Sequence, residues 1–194
     1  MMIISMPSKQ LNLSTCHENM EKSLYFKKYF ESVRQKLNSI DSPQLEQAAS
    51  MVWATHKAGK KVIVVGNGGS AAMASHVAVD FVKAASIRTI NFNEADLITC
   101  FANDYGYEHW VAKAMEAYAD SGDLAIIISS SGRSQNMLNA TETSKKMGLS
   151  VITVSGFLSN NPLRKLGDLN LWVDSSEYNI VEMTHHIWLV AIID

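Results

Sequence analysis

Cysteine is nearly missing from this chain of 194 residues: Cys16 and Cys100 are the only two, far apart and without metal or redox spacing. That excludes a disulfide-stapled secreted module and predicts a reducing, intracellular setting. No run of basic residues occurs and the net charge is −2, so the chain has no electrostatic footprint for nucleic acid or an anionic membrane surface. Apolar runs are short as well. None approaches the roughly 20 residues that span a bilayer, and Met1-Met2-Ile3-Ile4-Ser5-Met6-Pro7 lacks the regions of a secretory signal. Repeats, low-complexity tracts and linkers are also missing, which leaves one domain long enough for a substantial core. The expectation is a soluble, cytoplasmic protein that acts on a small molecule, with neither nucleic acid nor membrane as partner.

What is present alternates between helical and extended patterns. Leu24, Tyr25, Phe26, Tyr29, Phe30, Val33 and Leu37 recur at helical spacing and predict a helix over about 16–40. Ser42-Pro43 punctuates before a second helix over about 43–58. Beyond this helical pair the pattern predicts strands at about 61–65, 88–92, 123–128, 150–154 and 169–173. Helices are expected between them at about 70–84, 95–102, 107–119, 134–147 and 161–167, with a last one from about 178. The final apolar stretch Ile187-Trp188-Leu189-Val190-Ala191-Ile192-Ile193 reaches Asp194 without a cap, so this helix is expected to run on. Short strands read as apolar on both faces imply a parallel sheet covered by helices, an α/β three-layer αβα sandwich with five strands. Cys100 is expected as core filler, and Trp53, Trp110, Trp172 and Trp188 as core or interface residues. Lys57, Lys60 and Lys61 read as a solvated helix end and turn, and Arg164-Lys165 likewise.

Two strand-to-helix loops carry the chemistry. Gly66-Asn67-Gly68-Gly69-Ser70 follows Val62-Ile63-Val64-Val65, and Ser129-Ser130-Ser131-Gly132-Arg133-Ser134 follows Leu124-Ala125-Ile126-Ile127-Ile128. Glycines let backbone N–H groups approach a ligand, hydroxyls add donors, and helix N-termini favour an anion. In a parallel sheet such loops lie beyond the carboxyl ends of the strands, where ligands bind. Gly66-Asn67-Gly68-Gly69-Ser70-Ala71 also fits a dinucleotide fingerprint, but Arg88-Thr89-Ile90-Asn91-Phe92-Asn93 ends without the carboxylate that would hold a ribose. That fingerprint also leaves the serine-rich loop unexplained. The bland reading of the serines is N-capping of the helix at 134–147, and four clustered hydroxyls exceed that need. Arg133 reads either as a surface side chain or as a partner for a second anionic group.

With Asn103-Asp104-Tyr105-Gly106 and Gly122-Asp123, these loops form an ordered series that resembles sugar isomerase (SIS) domains, within them the phosphoheptose (sedoheptulose 7-phosphate) isomerase branch. The similarity runs from about residue 20 to the end and is densest over 61–140. The resemblance implies a flavodoxin-like five-stranded sandwich in one domain, a phosphosugar substrate, and a homotetramer with active sites at subunit interfaces. It also implies a role in making heptose precursors for surface polysaccharide. By motif position, Ser70, Ser129, Ser130, Ser131 and Ser134 correspond to phosphate contacts, and Asn67, Gly68, Gly69 and Asp104 to sugar contacts.

Aldose–ketose isomerisation needs a base to move a proton between adjacent carbons and an acid/base to manage the oxygens. The family's histidine and, four residues on, glutamate read here as His76 and Asp80, which makes Asp80 the expected base. The family's Gln-Glu-x-His, with a second histidine five residues on, becomes Val181-Glu182-Met183-Thr184 with Leu189 at the catalytic position. His185 and Glu182 are the expected substitutes. The bland reading makes His185 and His186 partly buried interface residues. Family zinc is carried by the two histidines, the glutamate and the glutamine. Of these only His76 survives, with Asp80 as a stand-in, so no cofactor is expected and His76 is at most a weak metal candidate. A second reading makes the chain a non-catalytic phosphosugar-binding or protein-interaction module, like the relative that binds the replication initiator DnaA.

Overall fold

The computed structural model describes residues 22–194. The first-helix onset at about 16, Cys16 and the amino-terminal segment discussed above lie outside the described residues. Two helices, α1 (Lys22–Leu37) and α2 (Ser42–Lys57), precede a doubly wound core. Its strands are β1 (Val62–Gly66), β2 (Thr89–Ile90), β3 (Leu124–Ser129), β4 (Ser150–Ser155) and β5 (Leu169–Trp172). The connecting helices are α3 (Gly69–Lys83), α4 (Ala95–Tyr105), α5 (Trp110–Tyr118) and α6 (Gln135–Lys146), and α7 (Tyr178–Ile193) follows β5. All strand pairs are parallel, in the order β2-β1-β3-β4-β5. The winding reverses between β1 and β3, and the carboxyl ends of those two strands are where the two loops emerge.

Alternate residues of the central strands feed two cores, because successive side chains of a strand point to opposite faces. Val62, Val64, Leu124, Ile126 and Ile128 pack with Val77 and Phe81 of α3 and Val181, Trp188 and Leu189 of α7. Ile63, Val65, Ala125 and Ile127 pack on the other face with Val111 and Met115 of α5 and Met137 and Ala140 of α6. This is the expected three-layer sandwich.

Several local expectations are corrected. β2 is two residues rather than five, because the Asn91 side chain accepts the Asn93 N–H at 3.0 Å and turns the chain out of the ladder. It is half-buried, and β5 alternates buried and half-buried residues, so only the three inner strands are close to apolar on both faces. The helix at 161–167 is a single 3-10 turn, Leu163–Lys165. Cys100 is exposed rather than core filler, and Trp53 is 53 % exposed, outside the core, with the Lys57 ammonium 4.8 Å above its ring, which leaves the interface half of its reading open. Arg164 is likewise no free surface cation, lying 4.3 Å over the Trp172 ring.

Lys61 is buried rather than solvated. Its Nζ lies 2.7 Å from Asp120 Oδ2 and 2.6 Å from Asp123 Oδ2. Asp123 is 1 % exposed and also accepts the backbone N–H groups of Lys61 and Asp120, at 3.0 and 2.8 Å. Gly122-Asp123 is therefore a structural clamp that seats the starts of β1 and β3 side by side. Replacing Asp123 by alanine leaves the buried Lys61 ammonium with Asp120 alone and two backbone N–H groups without their acceptor, and urea unfolding is expected to show a loss of about 3 kcal/mol.

Candidate active site

The loop after β1 closes tightly. Ser70 N–H donates to the Asn67 carbonyl at 2.9 Å, and Gly68 sits at φ 53°, a conformation that favours glycine. A Cβ on Gly69 would run into the Glu182 carboxylate, so α7 delivers that side chain against the first turn of α3 because residue 69 has none. The carboxylate thereby meets the positive end of the α3 dipole.

In the loop after β3, Gly132 takes φ 64° and its N–H returns to the Ser129 carbonyl at 2.9 Å. Ser134 occupies the N-cap position of α6, yet its hydroxyl makes no capping bond. It meets the Ser129 hydroxyl instead, at 3.1 Å. The capping explanation for this serine cluster therefore fails at the residue where it should hold, and the hydroxyls face a cavity. That cavity, about 280 Å³, is lined by Asn67, Gly68, Gly69, Ser70, the four residues 128–131, Ser134, Tyr178 and Glu182. A larger hollow of about 430 Å³ between α1 and α7 also touches Tyr178 but has no such glycine and serine loop around it.

The two loops are tied to each other by reciprocal amide bonds, Asn67 Nδ2 to Asn136 Oδ1 at 2.9 Å and Asn136 Nδ2 to Asn67 Oδ1 at 2.8 Å. Tyr107 adds its hydroxyl to Asn67 Oδ1 at 3.2 Å. Asn136 and Tyr107 escaped the sequence reading. The signal for Asn136 was its place in the first turn of α6, two residues after Ser134.

Of the expected site residues, Asn67, Gly68, Gly69, Ser70, Ser129, Ser130, Ser131, Ser134 and Glu182 are brought together. Asp104 is not. It lies exposed in the last turn of α4 and accepts from Asn103 Nδ2 at 2.8 Å. Asp80 does not line the cavity either, and pairs with His76, Oδ2 to Nε2 at 3.0 Å.

His185 requires a correction. It is 0 % exposed, and its ring is buried toward β4 with Nε2 3.0 Å from the Ser155 carbonyl. Residues 181, 184, 185, 188 and 189 form one buried stripe of α7, and His185 falls inside it. His186 is the imidazole that reaches the α3 side. Its Nε2 lies 2.8 Å from His76 Nδ1. With His76 Nε2–H donating to Asp80, His186 Nε2–H donates to His76 Nδ1, a directed chain from His186 through His76 to Asp80. Burial, then the neighbouring His76, lowers the His186 pKa.

The zinc set of the family does not assemble from these residues. Val181 and Leu189 are buried in the core, and both ring nitrogens of His76 are engaged by protein partners. Among the described residues no group of three His, Cys, Asp or Glu is arranged to hold a metal ion.

This geometry has close parallels among known proteins. The family model for the SIS domain matches residues 26–156. The chain belongs to the SIS domain family. Within it, the phosphoheptose isomerase of Campylobacter concisus is 37 % identical over 158 residues, covering 76 % of this chain and 81 % of that protein. The phosphoheptose isomerase of Crocosphaera subtropica is 39 % identical over 142 residues, 70 % of each chain. Among solved structures, the Neisseria gonorrhoeae phosphoheptose isomerase superposes with a TM-score of 0.82 at 25 % identity, over 89 % of this chain and 96 % of that one. The Francisella tularensis phosphoheptose isomerase gives 0.82 at 27 % identity, over 90 % and 97 %. In this SIS chain the glycine and serine loops and Glu182 line one cavity, and His76 lies between His186 and Asp80.

Proposed function

We infer that this SIS domain is a phosphosugar isomerase of the sedoheptulose 7-phosphate type, interconverting a ketose and an aldose phosphate through an enediol. The observation that carries this reading is the pairing of a serine loop at the α6 N-terminus with a carboxylate across the same cavity. In it the Ser129–Ser134 loop and Ser70 take the phosphate, and the Asn67–Gly69 loop takes sugar hydroxyls. Glu182 moves the proton between the two carbons, since it is the carboxylate lining the cavity, and a His186 oriented by His76 and Asp80, reaching in from a neighbouring subunit, handles the oxygens.

A homotetramer is part of the proposal. Leu24, Tyr25, Phe26 and Phe30 of α1 are between 42 % and 65 % exposed, an apolar stripe suited to a second copy. Asp104 and the His186–His76–Asp80 chain lie outside their own cavity, where a neighbouring subunit's cavity can use them. Supply of heptose precursors for lipopolysaccharide or capsule, and a cytoplasmic location, rest on the family resemblance. No helix among the described residues is long and apolar enough to cross a membrane.

The test is incubation of the purified chain with sedoheptulose 7-phosphate while heptose 7-phosphate is followed. Turnover is the expected result. Tight binding without turnover would instead support the sensing or interaction module.

A further inference from the structure

His185 is a buried titratable group that the proposed chemistry does not use, and its setting is costly. Among the described residues its Nδ1 finds no hydrogen-bond partner. A leucine at this place in the apolar stripe would avoid that cost, so the imidazole answers to another requirement. Its other nitrogen identifies it. A carbonyl oxygen only accepts, so the contact to Ser155 makes Nε2 the protonated nitrogen.

The same peptide unit continues the chain of bonds. Gly156 N–H, on the other side of the Ser155–Gly156 peptide, donates to the Ser130 carbonyl at 2.9 Å. Ser130 Oγ in turn lies 3.5 Å from Glu182 Oε1. Glu182 stands three residues before His185, one turn up the same helix. The bonds thus close a ring: Glu182, Ser130, the Ser155–Gly156 peptide, His185, and back along α7.

We propose that His185 is a positioning residue that fixes the register of α7 on β4 and thereby holds Glu182 over the serine loop. Contacts on each side of the ring of bonds support the assignment. Ser155 Oγ accepts from Asn161, in the segment after β4, at 3.3 Å and from Asn170 of β5 at 3.2 Å, which pins Ser155 from two segments. A Cβ on Gly156 would stand 2.7 Å from Val181 Cγ1, so α7 rests directly on the backbone there. Burial keeps the ring neutral at physiological pH, and its two influences are desolvation and the Ser155 bond.

The proposal rests on the isomerase reading, and its test separates the two. His185→Leu, His185→Asn and His185→Gln are made in the full chain, each with Glu182 and with Glu182→Gln, and kcat, KM and Tm are measured with sedoheptulose 7-phosphate. Glutamine carries its amide nitrogen near the position of Nε2, whereas asparagine matches Nδ1. Leu and Asn are expected to lower kcat by about tenfold to a hundredfold, the usual consequence of misplacing a catalytic group by an ångström. Glutamine is expected to restore kcat to within about threefold, and the Leu and Asn losses are expected to vanish when Glu182 is already glutamine. Leu and Asn variants with full kcat and lowered Tm would overturn the proposal, as would losses that multiply with Glu182→Gln. Wild-type protein that binds the sugar phosphate without turnover would sink the isomerase reading alone. The coupling between positions 182 and 185 is then read in Kd by calorimetry, with the same two outcomes deciding.

Discussion

Glu182→Gln is expected to lower kcat on sedoheptulose 7-phosphate by about a thousandfold, within the range contributed by a positioned general base. The substitution is nearly isosteric, so the amide still packs over Gly69, where a Cβ has no room. What disappears is the acceptor for the carbon-bound proton. Phosphate affinity should move the other way, or not at all, because the negative carboxylate shares the cavity with the Ser129–Ser134 loop and repels an anion. Competition by inorganic phosphate is therefore expected to be as strong as in the wild type or stronger. Asp80→Asn is the internal comparison. Asp80 touches His76 rather than the cavity, so its loss removes orientation only and should cost about tenfold. A Glu182→Gln variant with unchanged kcat would move the base to Asp80 or to a neighbouring subunit.

The cradles were legible in the sequence because their signals are local. An apolar run followed at once by glycine and serine specifies strand, turn and helix start within a dozen residues, and both loops emerge where that pattern predicts. Lys61 was misread because its partners, Asp120 and Asp123, lie about sixty residues away and meet it only when β1 and β3 pair. The exposed α1 aromatics follow the same logic, since helical spacing locates a stripe but not the surface that covers it.

The interchange of His185 and His186 has a different cause. Residues 187–193 of α7 are apolar throughout, so the sequence leaves the phase of its buried face undetermined, and one residue's rotation of about 100° decides which histidine enters the core. Packing makes the choice. With Val181, Trp188 and Leu189 all on the sheet, His185 must follow them, and His186 turns to His76. Glu182, four residues before His186, shares its face, which is why one side of α7 carries the candidate chemistry and the other carries the register.

The buried His185 also sets an acid limit on the fold. Burial pushes its pKa from the usual 6.5 down to about 4. In the unfolded chain the imidazole takes up a proton as pH falls through about 6.5, whereas the native ring refuses it until about 4. Between those values the unfolded state binds more protons, so stability falls as pH falls, by about 3 kcal/mol in total, and is fully retained above pH 6.5. Urea unfolding of wild type and His185→Gln at pH 7, 5.5 and 4.5 isolates this contribution, because the carboxylates titrate alike in both proteins. The glutamine variant is expected to lose about one proton's worth of pH dependence across that window, so that its stability relative to wild type improves steadily as the solution is acidified. Parallel curves for the two proteins would mean that the native ring accepts a proton as readily as the unfolded one. That would place solvent beside it and undo both the burial and the register that it is taken to fix.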